Sequence, residues 1–456
     1  MPNPNRRSLL KTVAVAATAP VLPFRPAQAD SRSHRLRPAA ATAALAGAGY
    51  PRTAVWAYNG QVPGPVLRVR QGAKTRIAID NGLPQHTTVH WHGVRLPFAM
   101  DGVPGLTQPA IPPGGRFVYE FAPPDAGTFW YHPHADSLRQ IGRGLSGALI
   151  VEEAVPPDVD RDVLWVIGDW RLDRDARLVD DFGHPRDAAM AGRIGNTVTV
   201  NGTVSDAEPA HAGERIRLRL VNAAVARIVS LRFAPHRPVV VALDGQPCDP
   251  HQPPGDRVLL GPGMRADLII DMTGDPGRRY PVVDDFVART AYRLTDFAYA
   301  PSAARAARAA PVAALPRNPL PEPDLAAAET ISLRLDGGMM GRRQHGIWAI
   351  DGHSMDADHD HAAEPLHTLR LGRSYRLVFR NDTAWWHPMH LHGHSFRLLS
   401  RDGEPVAHRQ WLDSALIAPR ERLEVAFVAD NPGDWMLHCH VIDHQASGMS
   451  ASLRVA

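Results

Sequence analysis

The chain has 456 residues, 44% hydrophobic and 21% charged, with 42 Pro, 37 Gly, 23 His and 2 Cys, and at ~150 residues per domain the length points to three domains. Two cysteines exclude a disulfide-stapled scaffold and a metal cluster held by cysteine alone. No run reaches about 18 uninterrupted apolar residues, which argues against a stable membrane span in the mature chain, and the mixed charges with many core-type residues argue against disorder.

The first segment is an address. Asn5-Arg6-Arg7-Ser8-Leu9-Leu10-Lys11 precedes a mildly apolar stretch, Thr12 to Leu22, and the small-residue site Ala27-Gln28-Ala29. That is the layout of an export signal over residues 1–29. The paired arginines resemble a twin-arginine signal, although Asn5 stands where Ser is usual and Leu9 where Phe is usual. The twin-arginine export machinery is therefore an expected partner, and the expected location is periplasmic or otherwise exported. Cleavage removes Arg6, Arg7, Lys11 and Arg25 and no acid, so the net charge of +3 becomes 46 basic against 47 acidic residues. Nucleic acid is not an expected partner.

The mature chain reads as strands. Val66–Arg70, Arg76–Asp80, Arg215–Val221 and Arg376–Asn381 alternate apolar and polar residues between Gly, Pro and Asn punctuation. Long helical periodicity is missing, so the fold class is all-β sandwiches. An Asn/Asp-Gly element recurs as Asn59-Gly60, Asn201-Gly202 and Asp351-Gly352, at intervals of roughly 140 to 150 residues. A strand running into Asn follows each one, at Asn81, Asn222 and Asn381. The expected domains are 45–155, 158–300 and 325–456, with an Ala/Pro-rich linker over 301–324. The second repeat has no paired histidines, so chemistry is expected in the first and third.

Four histidine motifs carry that chemistry: His90-Trp91-His92, His132-Pro133-His134, His390-Leu391-His392 with His387 before it, and His438-Cys439-His440 followed by His444 and Met449. On a strand, residues i and i+2 share a face, so each H-x-H presents two imidazoles together. Cys439 then points away from His438 and His440, toward a different metal. His387 has the parity opposite to His390 and His392, which suits the Cys439 side. His387, Cys439, His444 and Met449 form a His₂Cys set with a weak thioether, the ligands of a blue-copper centre. The other eight histidines can hold a separate copper cluster. A closed four-coordinate zinc site would not explain a Cys–Met set beside eight imidazoles.

At these residues the chain resembles the multicopper oxidases, the laccase-like family of three consecutive cupredoxin-like Greek-key domains. The resemblance covers essentially the whole mature chain. It implies four copper ions: a type 1 copper on His387, Cys439, His444 and axial Met449, a type 2 copper on His90 and His390, and a type 3 pair. One type 3 copper would take His92, His132 and His440, the other His134, His392 and His438. The implied reaction is one-electron oxidation of a small reducing substrate, phenol-like or, in the alternative, Cu(I) or Fe(II). Electrons would pass from Cys439 to His438 and His440, and O2 would be reduced to water. Every family ligand position is filled, which disfavours a non-catalytic envelope protein. Length and the full histidine set exclude two-domain nitrite reductases. A monomer is expected.

Proton supply needs carboxylates. Asp101, nine residues after His92, matches the family acid near the type 2 copper. The carboxylate many bacterial members carry after the last type 1 histidine is Gln445 here, and Asp443 is shifted in register. His86 and His394 match no ligand position. His353, His359, His361 and His367 read as a surface loop rather than an accessory copper site. Met339, Met340 and Met355 read as packing or loop residues rather than a Cu(I) path. Cys248 is expected to be a buried free thiol.

Overall fold

The computed structural model describes residues 33–302, 306, 308, 310–339, 347–355 and 364–456. The export signal, Met340, His359 and His361 lie outside the described residues. Strands dominate, and the α-helices among the described residues are short: Ser137–Gly142, Pro185–Ala189 and Ile442–Ala446.

Three β-sandwiches follow one another. In the first, the sheet ordered Gly64–Arg70, Gly147–Glu152, Gly127–His132 and His90–His92 packs on the sheet of Ser33–Leu36, Thr75–Asp80 and Arg116–Phe121. Trp91, Phe129 and Tyr131 fill the space between with Ile77, Tyr119 and Phe121. The second sandwich pairs a six-stranded sheet with a five-stranded one. The third sets a sheet built on Ser374–Asn381 and Arg422–Val428 against one ordered His367–Leu369, Ser450–Val455, Gly433–Cys439, His387–Leu391 and Ser414–Ile417.

The sequence repeat has a structural cause. Asn59, Asn201 and Asp351 all take positive φ, at 53°, 52° and 50°. Each uses its side-chain oxygen to accept the backbone N–H of a neighbouring strand or turn residue, from Arg37, Val166 and Arg334 at 2.7, 2.9 and 2.7 Å. Such left-handed turns favour Asn, Asp and Gly, because their side chains are short or absent. Asn81, Asn222 and Asn381 are equally matched. Each amide donates to two main-chain carbonyls, and each side-chain oxygen accepts an N–H two residues ahead.

Two segments differ from their expected character. The alternating arginines of Arg215–Asn222 do not face water, since the strand is buried on both faces. Arg217 bonds Glu153 and Asp267, and Arg219 bonds Thr128, Asp162 and Asp267, so this polar face is the seam between the first two sandwiches. The Ala/Pro-rich segment is an ordered strap at its far end. Asn318 donates to the Ala126 carbonyl and to Gln246 Oε1, both at 2.8 Å, and accepts from Ala126 N at 2.9 Å. Leu315 packs on Val241 and Ile269.

Candidate metal centre

Strand parity builds the site. His90 pairs His132 across one ladder, and His390 pairs His438 across another. In the strand Gly433–Cys439, Trp435, Leu437 and Cys439 enter the core of the third sandwich, while His438 turns to the opposite face. Trp91, Phe129 and Tyr131 likewise enter the first core and leave His90, His92 and His132 outside it. The two imidazole-bearing faces meet. His92 stacks on His390 at 3.7 Å and His90 on His392 at 3.9 Å between ring centroids.

Eight histidines, each at most 1% exposed, thus form a cage between the first and third domains. His92, His132 and His440 present donor atoms within 4.8 Å of one another, and so do His134, His392 and His438, and His90, His390 and His392. Across the third-domain strand lies a separate group of three. Cys439 Sγ is 3.5 Å from His387 Nδ1 and 3.6 Å from His444 Nδ1, which are 3.1 Å apart. Met449 is fully buried in the same core, and its carbonyl accepts from Cys439 N at 3.0 Å. The helix Ile442–Ala446 returns His444 to this group.

The donor set fits metal ions. His387 gives its Nε2–H to Thr383 Oγ1 at 2.8 Å and His444 gives its own to the Met190 carbonyl at 2.7 Å, so both Nδ1 lone pairs face each other bare. His392 Nε2 and His438 Nε2 are 3.1 Å apart, yet each ring already donates through Nδ1, to Asp101 Oδ2 at 2.7 Å and to the Cys439 carbonyl at 3.0 Å. Two neutral acceptors at that distance need a cation between them. His90 Nε2, His92 Nδ1, both nitrogens of His134, His390 Nε2 and His440 Nδ1 are buried without a hydrogen-bond partner. Burial first, then neighbouring histidines, drives the pKa of His92, His134, His392 and His440 well down. Burial alone brings His444 to about 3, apart from the opposing Met190 bond, and pushes the Cys439 thiol up. Neutral imidazoles are metal ligands, and a thiolate in this core needs a metal to hold its charge.

Two aspartates orient the rings. Asp101 accepts from His392 through Oδ2 at 2.7 Å, and its main-chain carbonyl accepts from His90 Nδ1 at 2.8 Å, with Oδ1 3.2 Å from the same nitrogen. Asp413 was not singled out by the sequence. Its Oδ1 is 3.0 Å from His92 Nε2, and its main-chain carbonyl accepts from His390 Nδ1 at 2.8 Å, with Oδ1 3.3 Å from the same nitrogen. Burial would raise Asp413, but Arg265 outweighs it and holds the carboxyl well below the usual range. The only hint was the isolated run Trp411-Leu412-Asp413-Ser414, which carries no ligand-like spacing. Gly93, which closes the first motif, takes φ +83°, and a Cβ there would run into Arg265 and Asp413.

The remaining candidates separate. His394 is buried with Nδ1 3.2 Å from the His392 carbonyl, outside the ligand groups. His353 is exposed in a turn and His367 is on a strand. Met355 packs on Val103 and Met436, and Met339 is 53% exposed. Cys248 is the expected buried free thiol. Asp443 accepts from Arg193 N at 2.7 Å, facing the second domain, and Gln445 is buried.

A cupredoxin-fold protein with a Cys–His pocket wired to a histidine cage is a copper-dependent oxidoreductase by design. Three sequence profiles described as "Multicopper oxidase" match residues 40–155, 161–299 and 328–456. The multicopper oxidase MmcO of Mycobacterium tuberculosis is 30% identical over 453 residues, covering 89% of this chain and 84% of its own. The structure of a multi-copper oxidase from Pseudomonas thermotolerans superposes with a TM-score of 0.86 at 37% identity, over 94% of this chain and all of that one. A Campylobacter jejuni multicopper oxidase, described as a metallo-oxidase, superposes at 0.77 with 25% identity over 93% of this chain and 91% of its own. The chain belongs to the multicopper oxidase family.

Proposed function

We propose that the chain couples one-electron oxidation of a small reductant at a type 1 copper to four-electron reduction of O2 to water at a trinuclear copper cluster. His387, Cys439, His444 and Met449 would hold the first copper. His90 and His390 would hold the type 2 ion, and the two cage triads the type 3 pair. Copper bound there supplies the one-electron steps and the site of O2 reduction. The observation that carries the reading is Cys439 standing between His438 and His440, its sulfur beside His387 and His444 and its neighbours in the cage. The covalent link from the Cys439 sulfur to both cage imidazoles is the electron route, and the His438 Nδ1–H bond to the Cys439 carbonyl offers a shortcut. Asp101 Oδ1 is buried without a hydrogen-bond partner, which leaves it free to carry a proton toward the cage.

The substrate reading is a phenol-like donor. A cavity of about 460 Å³ between the second and third domains is lined by Phe286, Tyr292, Trp385, Trp386 and Val441, and Val441 lies two residues from Cys439. Aromatic walls suit a planar aromatic donor. Oxidation of Cu(I) or Fe(II) is the second reading, supported by the metallo-oxidase relative and by exposed Met339, whose N–H bonds the Ala189 carbonyl beside Met190. We also propose that residues 1–29 direct export of the folded protein. Oxygen uptake by copper-loaded protein with phenols, Cu(I), Fe(II) and bilirubin tests the substrate reading. Ile228 also lines the cavity, and filling it with Ile228→Trp should lower kcat/KM for phenols and spare metal ions, while unchanged phenol turnover would count against the pocket.

A further inference from the structure

The second domain gives no histidine to the cage, yet one of its side chains is where all three domains meet. Arg265 is 0% exposed, and each of its five N–H donors has an acceptor. Nε donates to the Thr128 carbonyl at 3.2 Å, in the first domain. Nη1 donates to the Gly263 carbonyl at 3.0 Å and to Asp413 Oδ1 at 2.9 Å. Nη2 donates to the Asp244 carbonyl at 3.0 Å and to Asp413 Oδ2 at 2.5 Å. Asp244 Oδ2 in turn accepts the backbone N–H groups of Asp413 and Ser414 at 3.2 and 3.0 Å. The planar five-donor fork allows this, and an ammonium cannot reproduce it.

What the fork holds is the aspartate that orients two cage rings. Asp413 Oδ1 accepts from Ser414 Oγ at 2.8 Å and faces His92 Nε2, while the Asp413 main-chain carbonyl accepts from His390 Nδ1 at 2.8 Å. His92 thereby carries its proton on Nε2 and leaves Nδ1 bare, whereas His90 and His390 leave Nε2 bare. Of these three rings, the one whose proton sits on Nε2 is the one bonded to the Arg265-anchored carboxylate oxygen. Resting on the reading that His92 and His390 are copper ligands, we propose that Arg265 is a positioning residue of the trinuclear site. It acts through Asp413 to set the tautomer and aim of His92 and the aim of His390, and it makes docking of the second domain a condition of cage assembly. A partner behind a metal-bound histidine typically affects affinity or activity ~10–100-fold.

The test compares R265K with R217K in the copper-loaded full chain. Arg217 is a similarly buried arginine in the same seam, and its ion pairs run to Glu153 and Asp267 rather than to Asp413. Both variants are followed by thermal unfolding, by the blue absorption, and by copper retained at the cage against a graded chelator, read by metal analysis and electron paramagnetic resonance. R265K should keep the blue absorption and lose cage copper at ~10–100-fold lower chelator, with a changed resonance signal of the uncoupled copper. R217K should lose thermal stability alone. Wild-type chelator resistance and resonance signal in R265K would overturn the proposal. If R265K does not accumulate, D413N measured in the same way decides it, with wild-type cage copper again overturning it. Absence of cage copper in the wild type run alongside would overturn the ligand reading, and this proposal with it.

Discussion

Removing the metal should cost this protein a large part of its stability, and the structure says where. Five rings of the cage, His90, His92, His134, His390 and His440, carry a buried nitrogen without a partner, and each ring can offer one nitrogen to a metal. An unsatisfied buried polar atom costs ~1–3 kcal/mol, so a dry, metal-free cage forfeits about 5–15 kcal/mol, as much as the ~5–15 kcal/mol that holds a typical domain together. Water entering the polar cage recovers part of this, which leaves an expected loss of at least about 3 kcal/mol. Because three of these rings belong to the first domain and two to the third, the loss falls on the contact between them. Urea unfolding of chelated and copper-reloaded protein, followed by tryptophan fluorescence, measures it. The chelated protein should unfold earlier and in a broadened or split transition, as first and third domains uncouple. Superimposable curves would refute the argument, because an ion that binds only the folded cage must shift them.

The other expectations are more local. Gly93→Ala should cost about 4–7 kcal/mol, combining ~1–2 for a left-handed backbone with ~3–5 for a disturbed buried ion pair, and calorimetry should show it together with lost cage copper. Cys439→Ser should fold with a native far-ultraviolet spectrum but lose the blue absorption and O2 uptake together, and a blue, active variant would sink the electron route. Trp348→Phe removes the Nε1–H bond to the Ala188 carbonyl, 2.6 Å long, next to the segment covering His444. It should cost ~0.5–1.5 kcal/mol and raise kcat/KM for bulky phenols relative to small ones, and an unchanged ratio would show that this segment does not gate access. Asn318→Ala should lower the unfolding midpoint by the equivalent of about 1–3 kcal/mol and leave both copper spectra untouched.

The cage was legible because its signal is local. A strand repeats every second residue, so His90-x-His92 or His438-Cys439-His440 declares which groups share a face before any tertiary contact is known. The recurrent Asn and Asp-Gly positions were legible for the same reason, since their hydrogen bonds run to residues of their own turn or the neighbouring strand. Asp413 had no such signature. It is one of 47 acids, and its role exists only because a first-domain histidine 321 residues away is brought to its Oδ1. Arg265 and Arg219 likewise look alike in sequence, as arginines on alternating strands. One meets Asp413 and the other Asp162 and Asp267, and only packing separates them.

Paired histidines direct attention to the first and third domains and leave unmarked what the second domain places behind the rings. Ligands must come in sets, and sets leave sequence motifs, so a domain without H-x-H pairs contributes no cage nitrogen. Orientation needs single groups placed from a third direction, because a ring already fixed by its own strand can be aimed only by an atom outside both ladders. The second domain is that outside position. It supplies Arg265 and Asp244 behind Asp413, and the Met190 carbonyl behind His444. A two-domain version of this cage would keep every histidine and still leave Asp413 a buried carboxylate without its cation, a loss that typically costs ~3–5 kcal/mol. On this proposal the domain without a cage histidine serves the electrostatics of the site rather than its ligand count.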